Sequence, residues 1–207
     1  MAKAASKKKN WKDAVSLLEE YVVRIETPNG TYGTGFLCPR PENNSFLGIA
    51  TARHVVQDAD YWQQPIKVYH RESEGPILLR DSDRVVLHDN NGLDSSLLVI
   101  PPDKLEFPEE PIGLLPDAFP VPVGIDIGWV GFPQMYPNTQ CFFSGRVSAV
   151  LGDRHTYLLD GVVVNGVSGG PVIYPSPSGK VYVVWLRYRV YSEPPAGCYA
   201  ARPCGSC

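Results

Sequence analysis

Turn-forming residues cut this chain into pieces too short for long helices. It carries 19 glycines and 20 prolines in 207 residues, spread between short apolar runs. A proline inside a helix removes a hydrogen bond and clashes with the preceding turn, so such punctuation favours many short strands joined by turns and an all-β chain. With 43% hydrophobic and 20% charged residues the chain has enough apolar surface for one substantial core or two small barrels. Its net charge of -3 gives no reason to expect nucleic acid as a partner. No apolar run is long enough for a membrane helix, so no membrane span is expected.

Within that pattern, Gly166-Val167-Ser168-Gly169-Gly170-Pro171 is where chemistry is expected. A glycine two residues before a serine permits a tight turn that aims the amides of Gly166 and Ser168 at one oxyanion. Gly169 and Gly170 leave room for substrate. The plain alternative is a Gly-rich turn between two strands. A histidine and an acid in suitable contexts decide between them.

The run Leu47 to Val56 is apolar and strand-like, ends in small residues, and delivers His54 where the pattern changes. A general base there is fixed by a strand and partly exposed at its end. His70, His88 and His155 lack such a frame and read as surface or satisfied histidines. In Val85 to Ile100 a strand, an Asn/Gly turn and a second apolar run put Asp94 just before Leu97. An acid so placed fixes the imidazole tautomer and stabilises the imidazolium. Asp58 and Asp60 follow His54 on what reads as a helical turn, and Asp89 lies on the far side of the Gly turn, so Asp94 is preferred.

These residues make the chain resemble the trypsin-like serine proteases of the chymotrypsin fold, closest to their HtrA-like branch, from about Tyr21 to Val190. Gly33-Thr34-Gly35-Phe36 resembles the G-[ST]-G-F of the first hairpin. Thr51-Ala52-Arg53-His54-Val55-Val56 resembles the T-A-x-H-V-V around the catalytic histidine, and Asp89 with Asp94 resembles D-x-x-x-D-L-A-V-L with one extra residue between the acids. In the second half, Gly131-Phe132-Pro133, Gly145-Arg146-Val147-Ser148 and Asp160-Gly161 resemble the G-[FY]-P, G-x-V-S and D-A segments.

The resemblance implies two six-stranded Greek-key β-barrels packed face to face, with a Ser168-His54-Asp94 triad in the cleft between them. The backbone N–H groups of Gly166 and Ser168 would form the oxyanion hole. Apolar residues from Ala14 to Val22 recur at helical spacing and suggest a short N-terminal helix leading into a strand over Val22 to Glu26. The expected layout is a disordered basic start over 1–10, helix and first barrel over 11–112, second barrel over 113–197 and a flexible tail over 198–207. The Pro-rich stretch from Pro101 to Pro122 reads as the crossover.

The implied activity is that of an intracellular serine endopeptidase, acting on proteins or peptides through an acyl-enzyme and needing no cofactor. Val162, six residues before the serine, would line the substrate pocket, with Trp185 and Arg187 on its wall. An apolar P1 side chain is expected, and the arginines leave an acidic one open. Val167 stands where the family usually has Asp or Asn, so a new N-terminus has no charge to pair with, and the Gly-flanked loop has little stiffness of its own. That leads to the expectation of a regulating protein partner, as in a stress or defence assembly, and of a member of this branch without a PDZ-like domain. The alternative reading is a catalytically silent binding module of the same fold.

The basic start, Met1 to Lys9, is not followed by an apolar stretch, so no secretory signal is expected and the location is read as cytoplasmic. Five cysteines form an odd set and read as free thiols, with Cys38 and Cys141 in strand-like runs. Cys198, Cys204 and Cys207 cluster in a Pro/Gly-rich end without a fourth ligand, so no metal site is expected.

Overall fold

The structure, a computed structural model, describes residues 11–38, 46–90, 92–110, 112–116, 120–151, 156–176, 179–184 and 188–190. In the first half, helix α1 (Trp11–Leu18) leads into β1 (Val22–Glu26), β2 (Tyr32–Leu37) and β3 (Leu47–Thr51). Helix α2 (Arg53–Tyr61) then precedes β4 (Ile66–Tyr69), β5 (Ile77–Leu79), a short 3₁₀ turn (Asp81–Asp83), β6 (Val85–His88) and β7 (Ser96–Ile100). The second half holds β8 (Gly113–Leu114), β9 (Asp126–Gly131), β10 (Cys141–Leu151), β11 (Thr156–Asp160), β12 (Val172–Pro175), β13 (Val181–Val184) and β14 (Tyr188–Val190).

Both halves solve the same packing problem in the same way. In each, three consecutive strands form an antiparallel meander and the fourth returns beside the first, giving the neighbours β4-β1-β2-β3 and β12-β9-β10-β11. That order is a Greek key. The sheets extend to β5-β4-β1-β2-β3-β7-β6 and β14-β11-β10-β9-β12-β13-β8. Among the described residues each therefore has seven strands, where six are expected. The additions are short segments such as β5 and β8, three and two residues long, which are too brief to carry a period-two pattern in sequence.

The all-β, two-sheet architecture is as expected, and the strand over Val22–Glu26 lies where the sequence placed it. The alternation of β7, with Ser96, Leu98 and Ile100 buried, faces one side of the strand to the core, as a pleated strand must. Helix α1 turns Ala14 and Leu18 into the first core, while Trp11 lies over Phe142 of β10, ring centroids 5.2 Å apart. One helix thus packs on both halves. The first core also draws Val130, Ile173 and Val183 from the second half, so apolar contact is continuous across the seam.

No described helix is long and apolar enough to cross a membrane. Cys38 and Cys141 carry no disulfide and are half-buried, and burial pushes the Cys38 thiol up to about 12, which leaves it unreactive. Cys198, Cys204 and Cys207, like Trp185 and Arg187, lie outside the described residues.

Candidate active site

His54 and Asp94 meet across the end of the first sheet. Strand β3 pairs with β7, Thr51 opposite Ser96, so the residues just past β3 and just before β7 face each other. His54 is the second residue of α2, whose buried side is Val55, Val56 and Ala59; the ring is therefore left half-exposed at the helix start. Its Nδ1 lies 2.5 Å from Asp94 Oδ2, and its backbone N–H donates to Asp94 Oδ1 at 2.9 Å. Ala52, the N-cap residue of α2, offers no side-chain acceptor. Asp94 supplies one from another loop and places its charge at the positive end of the helix.

The shared hydrogen bond sets the electrostatics of both groups. It raises His54 above its usual 6.5 against the opposing effect of burial. It lowers Asp94 below its usual 3.8, helped by backbone N–H groups of His54 and Arg53. An aspartate on Nδ1 leaves Nε2 as the nitrogen that can take a proton.

Ser168 comes from the second half and reaches the first through its backbone. Its carbonyl accepts the N–H of Thr34 on β2 at 2.8 Å. Its neighbour Gly169, at φ +87°, sits so tightly that a Cβ there would strike Thr34 O, Thr51 Oγ1 and, at 2.6 Å, the nitrogen of Ala52. Ser168 is thus one residue from the β3–α2 junction that carries His54. No hydrogen bond joins Ser168 to His54 among the described residues. Such contacts often tighten only when substrate binds.

Two carbonyls define the direction of the loop amides. Asn165 O accepts the N–H of Gln134 at 2.7 Å, and Val167 O accepts that of Gly170 at 3.0 Å. In a trans peptide the N–H points opposite to the carbonyl, so the N–H groups of Gly166 and Ser168 are turned away from those partners. Neither has an acceptor among the described residues. Gly166 holds this geometry at φ +94°, where a Cβ would lie 2.5 Å from Phe132 O. Between the two amides, Val167 is 3% exposed and belongs to the second core. The loop therefore draws stiffness from apolar burial, which compensates for the missing charge at position 167.

The remaining histidines differ from one another. His70 is buried, with Nε2 on the Glu20 carbonyl at 2.9 Å. His88 links Ser96 Oγ, 2.7 Å from its Nδ1, to Asp60 Oδ2, 3.2 Å from its Nε2. It thereby ties α2, which carries His54, to β7, which follows Asp94; that bridge depends on strand register and is invisible in the linear pattern. His155 lies outside the described residues. Asp89 accepts the N–H of Leu93 at 3.3 Å, a bond internal to its turn. Val162 is 65% exposed. Among the described residues no group of three His, Cys, Asp or Glu side chains is placed to hold a metal.

The chain is similar in fold to several solved structures. Deg5 superposes with a TM-score of 0.58 at 20% identity, over 84% of this chain and 85% of that one. A serine endoprotease from Yersinia pestis gives 0.59 at 20% identity, over 84% of this chain but only 56% of its own. Rv3671c from Mycobacterium tuberculosis H37Rv, in an inactive serine-to-alanine form, gives 0.57 at 21%, over 87% and 84%. These likenesses establish the chymotrypsin-like two-barrel fold. No curated protein sequence matches the chain. The profile of the trypsin-like peptidase domain does match, over residues 33–182, and it spans both halves of the molecule. The chain belongs to the trypsin-like peptidase domain family.

Proposed function

We propose that the protein is a serine endopeptidase in which Ser168 is the nucleophile, His54 the general base and Asp94 the residue that orients and charges it. The observation that carries this reading is the bidentate hold of Asp94 on His54, at 2.5 and 2.9 Å, beside a serine loop with two unpartnered amides. In this mechanism Ser168 Oγ attacks the peptide carbonyl as Nε2 of His54 takes its proton. The N–H groups of Gly166 and Ser168 receive the oxyanion, the tetrahedral adduct collapses to an acyl-enzyme, and His54 returns the proton to the leaving amine. Water then enters by the same route in reverse. Asp94 favours the charged imidazolium at each stage, in keeping with the raised pKa of His54.

The substrate is a protein or peptide. An apolar P1 side chain near Val162, an intracellular location and a regulatory partner belong to the same proposal. The fold neighbours support a likeness to the HtrA-like branch. The missing Ser168–His54 hydrogen bond favours, as a second reading, a silent binding module of this fold. One experiment separates them: the purified protein is treated with a fluorophosphonate, and Ser168→Ala serves as control. Labelling that disappears in Ser168→Ala, with peptide hydrolysis lost alongside, supports the protease; an unlabelled wild-type protein supports the silent module.

A further inference from the structure

The hydroxyl of Thr34 has its bonding fixed by its surroundings. Thr34 is fully buried on β2 of the first sheet. Its Oγ1 accepts the N–H of Phe132, just past β9 of the second sheet, at 3.0 Å. A hydroxyl has one proton to give, and here it goes to the carbonyl of Gly166 at 2.8 Å. The Thr34 carbonyl is held in turn by Thr51 Oγ1 at 2.7 Å, and its N–H donates to Ser168 O at 2.8 Å. One residue of the first barrel therefore holds the carbonyls of both oxyanion-hole residues of the second.

This matters because Gly166 has no side chain to limit its own torsions. The peptide before it is held by the bond from Gln134 N–H to Asn165 O. The peptide after it is held by the Thr34 hydroxyl at 2.8 Å and, at the longer distance of 3.3 Å, by Val167 N–H on Val164 O. With both planes fixed, neither φ nor ψ of Gly166 is free to drift, and its N–H keeps its direction. Releasing the Thr34 bond leaves the second plane with only the longer bond from Val167 N–H to Val164 O, at 3.3 Å.

We propose that Thr34 is a positioning residue for catalysis: its hydroxyl couples the barrel carrying His54 and Asp94 to the oxyanion loop and keeps the Gly166 amide directed for the transition state. The inference rests on the protease reading above. It acts on the developing oxyanion and not on ground-state substrate, so its loss should appear in kcat while KM is largely kept.

The test uses Thr34→Val, which keeps the shape and removes the hydroxyl, beside Thr34→Ser, which keeps the hydroxyl. Tyr157→Phe is the stability control, since it deletes another buried hydroxyl, the acceptor of Val121 N–H at 3.2 Å, in the second barrel. Steady-state hydrolysis of a fluorogenic peptide and the rate of fluorophosphonate labelling are measured together with thermal melting. Deleting a whole oxyanion donor costs ~10² to 10³ in kcat. Thr34→Val should lose at least about tenfold within that ceiling, with KM changed by less than about twofold, while Thr34→Ser stays near wild type. The labelling rate should fall in parallel, because phosphonylation of Ser168 with loss of fluoride uses the same oxyanion site. If Thr34→Val does not fold, Thr34→Cys, whose thiol is a weak donor, is held to the same outcome. Unchanged kcat in Thr34→Val, an equal loss in Tyr157→Phe, or an equal loss in Thr34→Ser overturns the inference and leaves the protease reading intact. A wild-type protein that no fluorophosphonate labels overturns both.

Discussion

Val167 stands between the amides of Gly166 and Ser168 and is 3% exposed within an apolar cluster that includes Ile127, Trp129 and Val172. Truncation to alanine removes two methyl groups, a transfer loss of about 1.6 kcal/mol at ~0.8 per carbon. The vacated volume adds about 1 kcal/mol at ~24 cal/mol per Å³. A chain of this size melts ~2 to 4 °C lower for each kcal/mol lost, so Val167→Ala should melt about 5 to 10 °C below wild type. Val167→Asp restores the residue type usual at this position in the family, yet here it puts a carboxylate into an apolar cluster, at a cost of several kcal/mol. It should melt lower still. Both variants should also lose kcat, because the anchor lies on the loop that directs the Gly166 and Ser168 amides. The assay is thermal melting followed by circular dichroism, with kcat measured well below the melting point. A Val167→Asp protein that melts at or above the wild-type temperature would refute the idea of an apolar anchor.

The other predictions concern charge and backbone. In the proposed mechanism His54 must be neutral to act as a base and is held above 6.5, so the acid limb of kcat/KM should lie above that value, with activity rising as pH passes through it. Asp94→Asn should move the limb down and cut kcat by about 10⁴, whereas Asp89→Asn should change neither, because an amide oxygen still accepts the Leu93 N–H; pH-rate profiles of both variants decide it. The pair also affects stability: the part from the raised His54 is full below 6.5 and lost as pH rises through its folded value, and the part from the lowered Asp94 is full above 3.8 and lost as pH falls through its folded value. Gly169→Ala, at φ +87° and against the backbone of Thr34 and Ala52, should abolish activity and lower the melting point sharply. Gly124→Ala, at φ +84° but with nothing within 4 Å of its Cβ, should cost only ~1 to 2 kcal/mol and keep activity.

The linear pattern revealed those features whose causes are local. The apolar run ending at His54, the acid just ahead of β7 and the glycines around Ser168 each follow from spacing and turn chemistry, and the structure brings the first two into hydrogen-bond contact. Thr34 was visible only as part of a hairpin motif. Its partners Phe132 and Gly166 stand 98 and 132 residues away, and no periodicity encodes a bond across that distance. The stiffness of the serine loop was hidden for the same reason: Val167 reads as a missing charge until the core that receives it is assembled. His88 reads as a surface or satisfied histidine, and which partners satisfy it is hidden because its bridge from Ser96 to Asp60 depends on the β6–β7 register and on α2 together.

The division of the site between two Greek keys has a consequence for synthesis. A ribosome delivers His54 and Asp94 first, before the second half of the chain has been made. The first half lacks Ser168 and Gly166, which carry the proposed nucleophile and oxyanion amides. Ser168 arrives more than seventy residues later, and its loop is not held until Val172 pairs with Trp129 and the Thr34 bonds close across the seam. On the proposed mechanism the nascent chain is therefore inert as a protease for most of its elongation. On that mechanism a newly made molecule becomes competent only as its second half docks, so the order of the sequence would keep unfinished copies from digesting one another.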